Sequence, residues 1–96
     1  MELQPRHTYL NGDGGTVHIA GPIHGDPQIY WSIEGDWYRQ SDGAVYTSYI
    51  DRSTGRELRE IDPVNSRYLQ TDITDRPGEA AWWDGVVTTV ARRPLT

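Results

Sequence analysis

Apolar and polar residues alternate in short runs along this chain, and the runs are cut by turn residues at close intervals. Turn signals stand at Asn11-Gly12, Gly14-Gly15, Gly21-Pro22, Gly25-Asp26-Pro27, Glu34-Gly35-Asp36, Ser41-Asp42-Gly43, Ser53-Thr54-Gly55, Asp62-Pro63, Arg76-Pro77-Gly78 and Asp84-Gly85. The runs between them are rich in Val, Ile, Thr, Tyr and Trp, which favour a pleated, half-buried surface. This pattern predicts strands near 16–21, 28–34, 36–41, 44–51, 56–61, 67–74 and 86–92. No long window keeps apolar residues at i, i+3, i+4 and i+7. The one helical candidate is a short segment near 76–83, inside "DRPGEAAWW", with Asp75 as N-cap and Pro77 in the first turn. The expected fold is all-β: a small antiparallel sandwich or partly open barrel of six to seven strands. Residues 1–96 are expected to form one small domain, with 1–8 and 93–96 loosely held.

The stretch "IYWSIEGDWYRQ", residues 29–40, holds four aromatic rings. Strand alternation puts Ile29, Trp31 and Ile33 on one face and Tyr30 and Ser32 on the other. A two-residue turn at Glu34-Gly35 or at Gly35-Asp36 connects to the next strand. Either turn places Tyr38 with Ile29, Trp31 and Ile33 as core, and Trp37 with Tyr30 and Arg39 on the second face. The following run also carries a Tyr on each face, Tyr49 on one and Tyr46 on the other. Both faces of this meander are therefore aromatic. One set builds the core. The other packs under the chain's own 82–92 segment, lines a cavity or meets a partner.

Composition supports a folded chain. Leu, Ile and Val number 18 of 96 residues and Phe is absent. That aliphatic share alone is near the disordered range. The net charge is only −5, however, and four Trp and six Tyr supply the missing bulk. With a pI near 4.9, nucleic-acid binding by charge alone is not expected. Cys is absent, which excludes disulfides, thiolate metal sites and a cysteine nucleophile. Lys is absent too, and all nine basic residues are Arg. No signal-peptide pattern opens the sequence and no apolar run is long enough to span a membrane, so the expected location is the cytoplasm.

Candidate chemistry is sparse. "NGDGG" lacks the first carboxylate and the closing Glu of a calcium loop, and reads as a hairpin turn. His18, His24 and Asp26 lie within nine residues and are weak candidates for a metal, at a spacing that fits no standard motif. No cofactor is expected. There is no G-x-S-x-G, and no catalytic residue is assigned. Asp51, Glu57, Glu60 and Asp62 share the 51–62 hairpin with Arg52, Arg56 and Arg59, a composition that suits surface ion pairs. In "AAWWDG", Trp82 and Trp83 point oppositely if the segment is a strand. Gly35 and Trp37 resemble the glycine-x-tryptophan opening of lipocalin- and avidin-type barrels. Those barrels open their first strand with it, whereas here it lies well inside the chain, so no family is assigned.

The functional expectation is a non-catalytic binding protein, of the inhibitor-like small acidic type. It would engage a protein partner or a second copy of itself through Tyr30, Trp37, Arg39 and Trp83, the mixture enriched at interface hot spots. The alternative is a small-molecule barrel, with or without catalysis, whose cavity Trp31, Trp37, Tyr46, Tyr49 and Trp82 would line, with His18 or His24 as the polar anchor.

Overall fold

The structure, a computed structural model, describes residues 1–91, with side chains up to residue 86. It is built from seven antiparallel strands and one helix: β1 (His7–Asn11), β2 (Thr16–Ile23), β3 (Asp26–Ser32), β4 (Trp37–Arg39), β5 (Tyr46–Ile50), β6 (Glu57–Ile61), β7 (Leu69–Asp72) and α1 (Glu79–Ala91). A single 3-10 turn, Asn65–Arg67, precedes β7. Five strands form one sheet in the order β4-β3-β2-β1-β7, and β5 and β6 form a separate hairpin. The sheet curls. Its two ends are tied where Leu69 N–H donates to the Gly43 carbonyl at 3.0 Å, while an isolated bridge from Tyr38 to Val45 leads into the hairpin. The all-β antiparallel fold expected from the turn spacing, a sandwich or a partly open barrel, takes the form of an open, curled sheet with a small second sheet.

Leu3, Tyr9, Val17, Ile19, Tyr38, Val45 and Leu69 fill the inside of the curl, with Tyr30 and Tyr68 packed against them. Two tyrosines thus supply the bulk that Phe would give elsewhere. The close approach at Gly43 is part of this closure. Its φ is +78°, and a Cβ there would stand 3.0 Å from the Leu69 Cβ.

β1 was not expected, and the segment before it bonds to the sheet. Leu3 is fully buried and its N–H donates to Gln40 O at 2.8 Å; Gln4 N–H donates to the Tyr9 hydroxyl at 2.8 Å; Arg6 N–H donates to Ile19 O at 2.9 Å. The N-terminus is stitched to three parts of the sheet, and only Leu3 shows an apolar signal for it. Asn11 organises the β1–β2 connection, its side-chain carbonyl accepting from Asp13 N–H and Gly15 N–H.

The largest difference lies at the C-terminal end. The strand expected over 86–92 is helix α1 as far as Ala91, and residues 92–96 lie outside the described residues. The helix also begins later than the 76–83 expectation. Arg76-Pro77-Gly78-Glu79 is a turn closed by Glu79 N–H to Arg76 O at 3.2 Å, with Gly78 at φ +93°. Pro followed by a positive-φ Gly is the type II pattern. Asp75 therefore does not cap the helix, and Glu79 supplies the negative charge in its first turn. Val and Thr cost only about 0.5 kcal/mol each relative to Ala in a helix. That is too little to stop a helix already started by "EAAWW" and anchored by its tryptophans.

Candidate binding face

The orientation of the aromatic stretch is set by one loop. Ser32 N–H donates to Asp36 O at 2.9 Å, Gly35 N–H donates to Ser32 O at 3.0 Å, and Gly35 has φ +108°. Three residues, Ile33, Glu34 and Gly35, therefore lie between the hydrogen-bonded Ser32 and Asp36, with the glycine in the bulge position of a three-residue hairpin loop. The Ser32 hydroxyl locks the loop by donating to Asp36 O and accepting from Asp36 N–H.

An odd loop inverts the parity of the pairing. Two-residue turns set an odd position opposite an even one. Here Ile29 faces Arg39, Tyr30 faces Tyr38 and Trp31 faces Trp37. This corrects the expected faces. Tyr30, Ser32 and Tyr38 point into the curl, and Ile29, Trp31, Trp37 and Arg39 point out. Trp31 is 42% exposed and Ile33 39%, so neither belongs to the core.

Of the residues expected to bind a partner, Trp37 and Arg39 stand on the outer face. Tyr30 packs against the core, and Trp83 is buried beneath α1. Arg39 is engaged locally. Its guanidinium grips Asp42 through Nε at 3.0 Å and Nη2 at 2.5 Å. That hydrogen-bonded pairing lifts the Arg39 pKa and holds the Asp42 carboxyl below its ordinary value.

Arg59 takes the place expected for Arg39. It reaches over from β6, and its guanidinium carbon stands 3.6 Å from the centre of the Trp37 ring. The pair is a cation–π stack, worth about 0.5–1 kcal/mol at an exposed position. Nothing local in the sequence marks Arg59 for this. Its place follows from the fold of the β5–β6 hairpin, where it pairs with Ser48. The hairpin carboxylates gather no acid pair. Asp51 accepts from Ser53 and Glu57 meets Arg59 at 3.6 Å.

Trp31 and Trp37 border a shallow depression of about 420 Å³, completed by Ile23, His24 and Ile33 with Ser32 and Gly35 at its base. Among the described residues neither indole N–H has a hydrogen-bond partner. Two carboxylates beside the depression have partners. Glu34 accepts from His18 through both oxygens, at 2.8 Å from N–H and 2.7 Å from Nδ1. Asp36 pairs with Arg67 at 3.2 Å.

The residues proposed to line a cavity are dispersed. Trp31 and Trp37 share the outer face, Tyr46 and Tyr49 sit on β5, and Trp82 lies on α1. The inside of the curl, where such a cavity would be, is occupied by Tyr9, Tyr38 and Ile19.

The metal candidates also separate. His18 is buried between Glu34 and Glu79, its Nε2 standing 3.4 Å from Glu79 Oε1, and Trp82 stacks on it with ring centres 3.6 Å apart. His24 lies in the β2–β3 turn, and Asp26 caps Gln28 N–H at 2.9 Å. Among the described residues no group of three His, Cys, Asp or Glu is placed to hold a metal ion. The His18 cluster is a fastening. With Trp83 Nε1 donating to Thr8 Oγ1 at 3.0 Å, it clamps α1 onto the outer side of β1 and β2. The adjacent tryptophans of "AAWWDG" thus both turn inward, a quarter-turn apart on a helix, with rings edge to face at 5.0 Å.

Among the described residues no helix is long and apolar enough to cross a membrane. Comparison with known proteins finds no matching family model, no matching curated protein and no matching solved structure.

Proposed function

We propose that this chain is a non-catalytic binding protein that engages a protein partner through the outer face of β3 and β4. The observation that supports this reading is the Trp31–Trp37 pair. Two indoles sit directly opposite each other on an outward face, one of them 42% exposed, and neither N–H has a hydrogen-bond partner among the described residues. Trp and Arg are the residues that dominate binding hot spots, because a large rigid plate gives contact area with few rotors to freeze. Arg59 holds the Trp37 plate in place.

The area favours a small recognition element over a stable homodimer. A fully buried aromatic side chain covers about 150–250 Å², so the exposed parts of Trp31, Trp37 and Ile33 together offer on the order of 200–300 Å². A standard interface needs roughly 800 Å² from each partner.

Panning a random peptide library on the immobilised protein tests the reading. Clones are expected that bind the wild type and are lost on Trp31→Ala. If enrichment is the same on both proteins, or absent on both, the outer face is not a binding surface.

A further inference from the structure

We propose that the seating of α1 depends on a proton: the helix stays docked while both ring nitrogens of His18 are protonated, and it releases when Nε2 gives its proton up.

The ring stands between two carboxylates. Its Nδ1 lies 2.7 Å from Glu34 Oε2 on the β3–β4 loop, and its Nε2 lies 3.4 Å from Glu79 Oε1 at the start of α1. Glu34 is fixed to its side of the ring, because its Oε1 also accepts from His18 N–H at 2.8 Å. A neutral imidazole has one N–H and one lone pair, so it can serve only one of the two acids. With the proton on Nδ1, the Nε2 lone pair would face the Glu79 oxygen. That oxygen is buried and has no hydrogen-bond partner among the described residues. An acceptor left in this way is costly, and a buried charge more so. The doubly protonated ring removes the conflict. It donates to Glu34 and sets a positive charge against Glu79. The third neighbour acts in the same sense. The Trp82 indole lies flat on the ring, with centres 3.6 Å apart and planes 13° from parallel, the position in which an aromatic face attracts a cation.

The remaining neighbours bring no charge to the ring. β1 sets Thr8 opposite His18, and His7 and Tyr9 on either side of it point to the other face. Beyond the end of β3, Ile33 contributes only its N–H, to His18 O at 2.9 Å. On β2, Thr16 and Ala20 flank the ring. On α1, Trp83 meets it edge-on with centres 5.8 Å apart, and Asp84 is exposed. The His18 side chain is only 11% exposed, so salt and water screen these contacts little.

Glu79 and Trp82 both belong to α1, while Glu34 stays with the sheet. Two of the three groups that favour the charged ring therefore leave with the helix. Proton and helix reinforce each other through one coupling free energy, the same in both directions. The docked state binds more protons than the released state. Docking is therefore complete on the acid side and is lost as pH rises through the range where the docked ring deprotonates. Release would bare Thr8 and His18 on the outer side of β1 and β2.

The experiment follows the full chain from about pH 5 to about pH 9, a span that brackets the charge change of histidine. One sample carries 5-fluorotryptophan and a soluble paramagnetic agent, and the other carries ¹⁵N-histidine. Broadening at Trp82 and Trp83 reports release of α1, and the His18 ring ¹⁵N shifts report which nitrogens are protonated. That broadening is expected to rise at least about fivefold across the range, at the same midpoint as loss of the Nε2 proton, while the Trp31 and Trp37 signals keep their positions. Glu79→Gln removes the charge and offers an amide donor to a bare Nε2, so its helix should stay seated at both ends of the range. The proposal is overturned if Trp82 and Trp83 of the wild type are equally protected at both ends, or if His18 Nε2 is bare while they are protected. It is overturned too if all four fluorines change together, which is global unfolding, or if Glu79→Gln responds to pH as the wild type does. The wild-type measurements decide by themselves should the variant not fold.

Discussion

The bond from Trp83 Nε1 to Thr8 Oγ1 is the buried polar contact that docks α1, and its worth can be isolated by a double-mutant cycle. Thr8 is fully buried and Trp83 is 8% exposed, so neither group has water as a substitute partner. Thr8→Val keeps the side-chain shape and removes the acceptor, leaving the indole N–H buried without a partner at a cost of about 1–3 kcal/mol. Trp83→Phe orphans the Thr8 hydroxyl at a similar cost. It also gives up roughly 40 Å² of apolar contact, about 1 kcal/mol at 25 cal/mol per Å². The pair of substitutions leaves no orphan, so it should cost no more than Trp83→Phe alone. The expected coupling is therefore at least the cost of Thr8→Val, about 1–3 kcal/mol, beyond the 0.3–0.5 kcal/mol scatter of independent sites. Urea denaturation followed by Trp fluorescence and far-ultraviolet circular dichroism measures it. A chain of this length has about 5–14 kcal/mol of stability in all, so each variant stays measurable. If the two single costs simply add, the hydrogen bond does not hold the helix.

The remaining expectations concern backbone and pH. Gly43→Ala should destabilise by about 1–3 kcal/mol, combining left-handed strain with the new Cβ against Leu69. Gly14→Ala has a similar φ, +81°, with nothing within 4 Å, and should lose only about 1 kcal/mol. Equal melting temperatures for the two would refute closure of the curl at Gly43. Burial pushes the Tyr38 hydroxyl from 10.0 up to about 12. The folded state then holds its proton more tightly than the unfolded chain. Stability is full below pH 10 and declines as pH rises through the interval up to 12. Tyr38→Phe should lessen that alkaline decline in a pH series of urea melts. Arg39 depresses Asp42, whose contribution is present above its ordinary value of 3.8 and fades as pH falls below it. Asp42→Asn should therefore flatten part of the acid limb.

Much of the fold was legible because turn chemistry is local. Asn11, Gly35, Gly43 and Pro77-Gly78 all mark chain reversals, and six of the seven strands were read from the segments between such turns. The faces of the β3–β4 hairpin were not legible. Glu34-Gly35-Asp36 suits two-residue and three-residue loops alike, and changing the loop by one residue turns every opposed side chain over. The Ser32 hydroxyl that fixes the longer loop gave no sign of its role. Tyr30 was consequently placed on a surface it does not occupy, and Trp31 was placed in a core it does not enter. At the C-terminus, Val and Thr argued for a strand. The tertiary contacts of Trp82 with His18 and of Trp83 with Thr8 decided for a helix. Arg59 was invisible as a site residue because its partner Trp37 lies on a different hairpin.

The most direct test of the outer aromatic face is solvent contact at each tryptophan. The protein is labelled with 5-fluorotryptophan, and its four ¹⁹F resonances are assigned by single Trp→Phe variants. A soluble paramagnetic agent is then added to dilute protein. The expected result is strong broadening at Trp31, 42% exposed, and little at Trp83, 8% exposed, with Trp37 between them beneath Arg59. A protected Trp31 in the monomer would contradict the three-residue loop and, with it, the binding face.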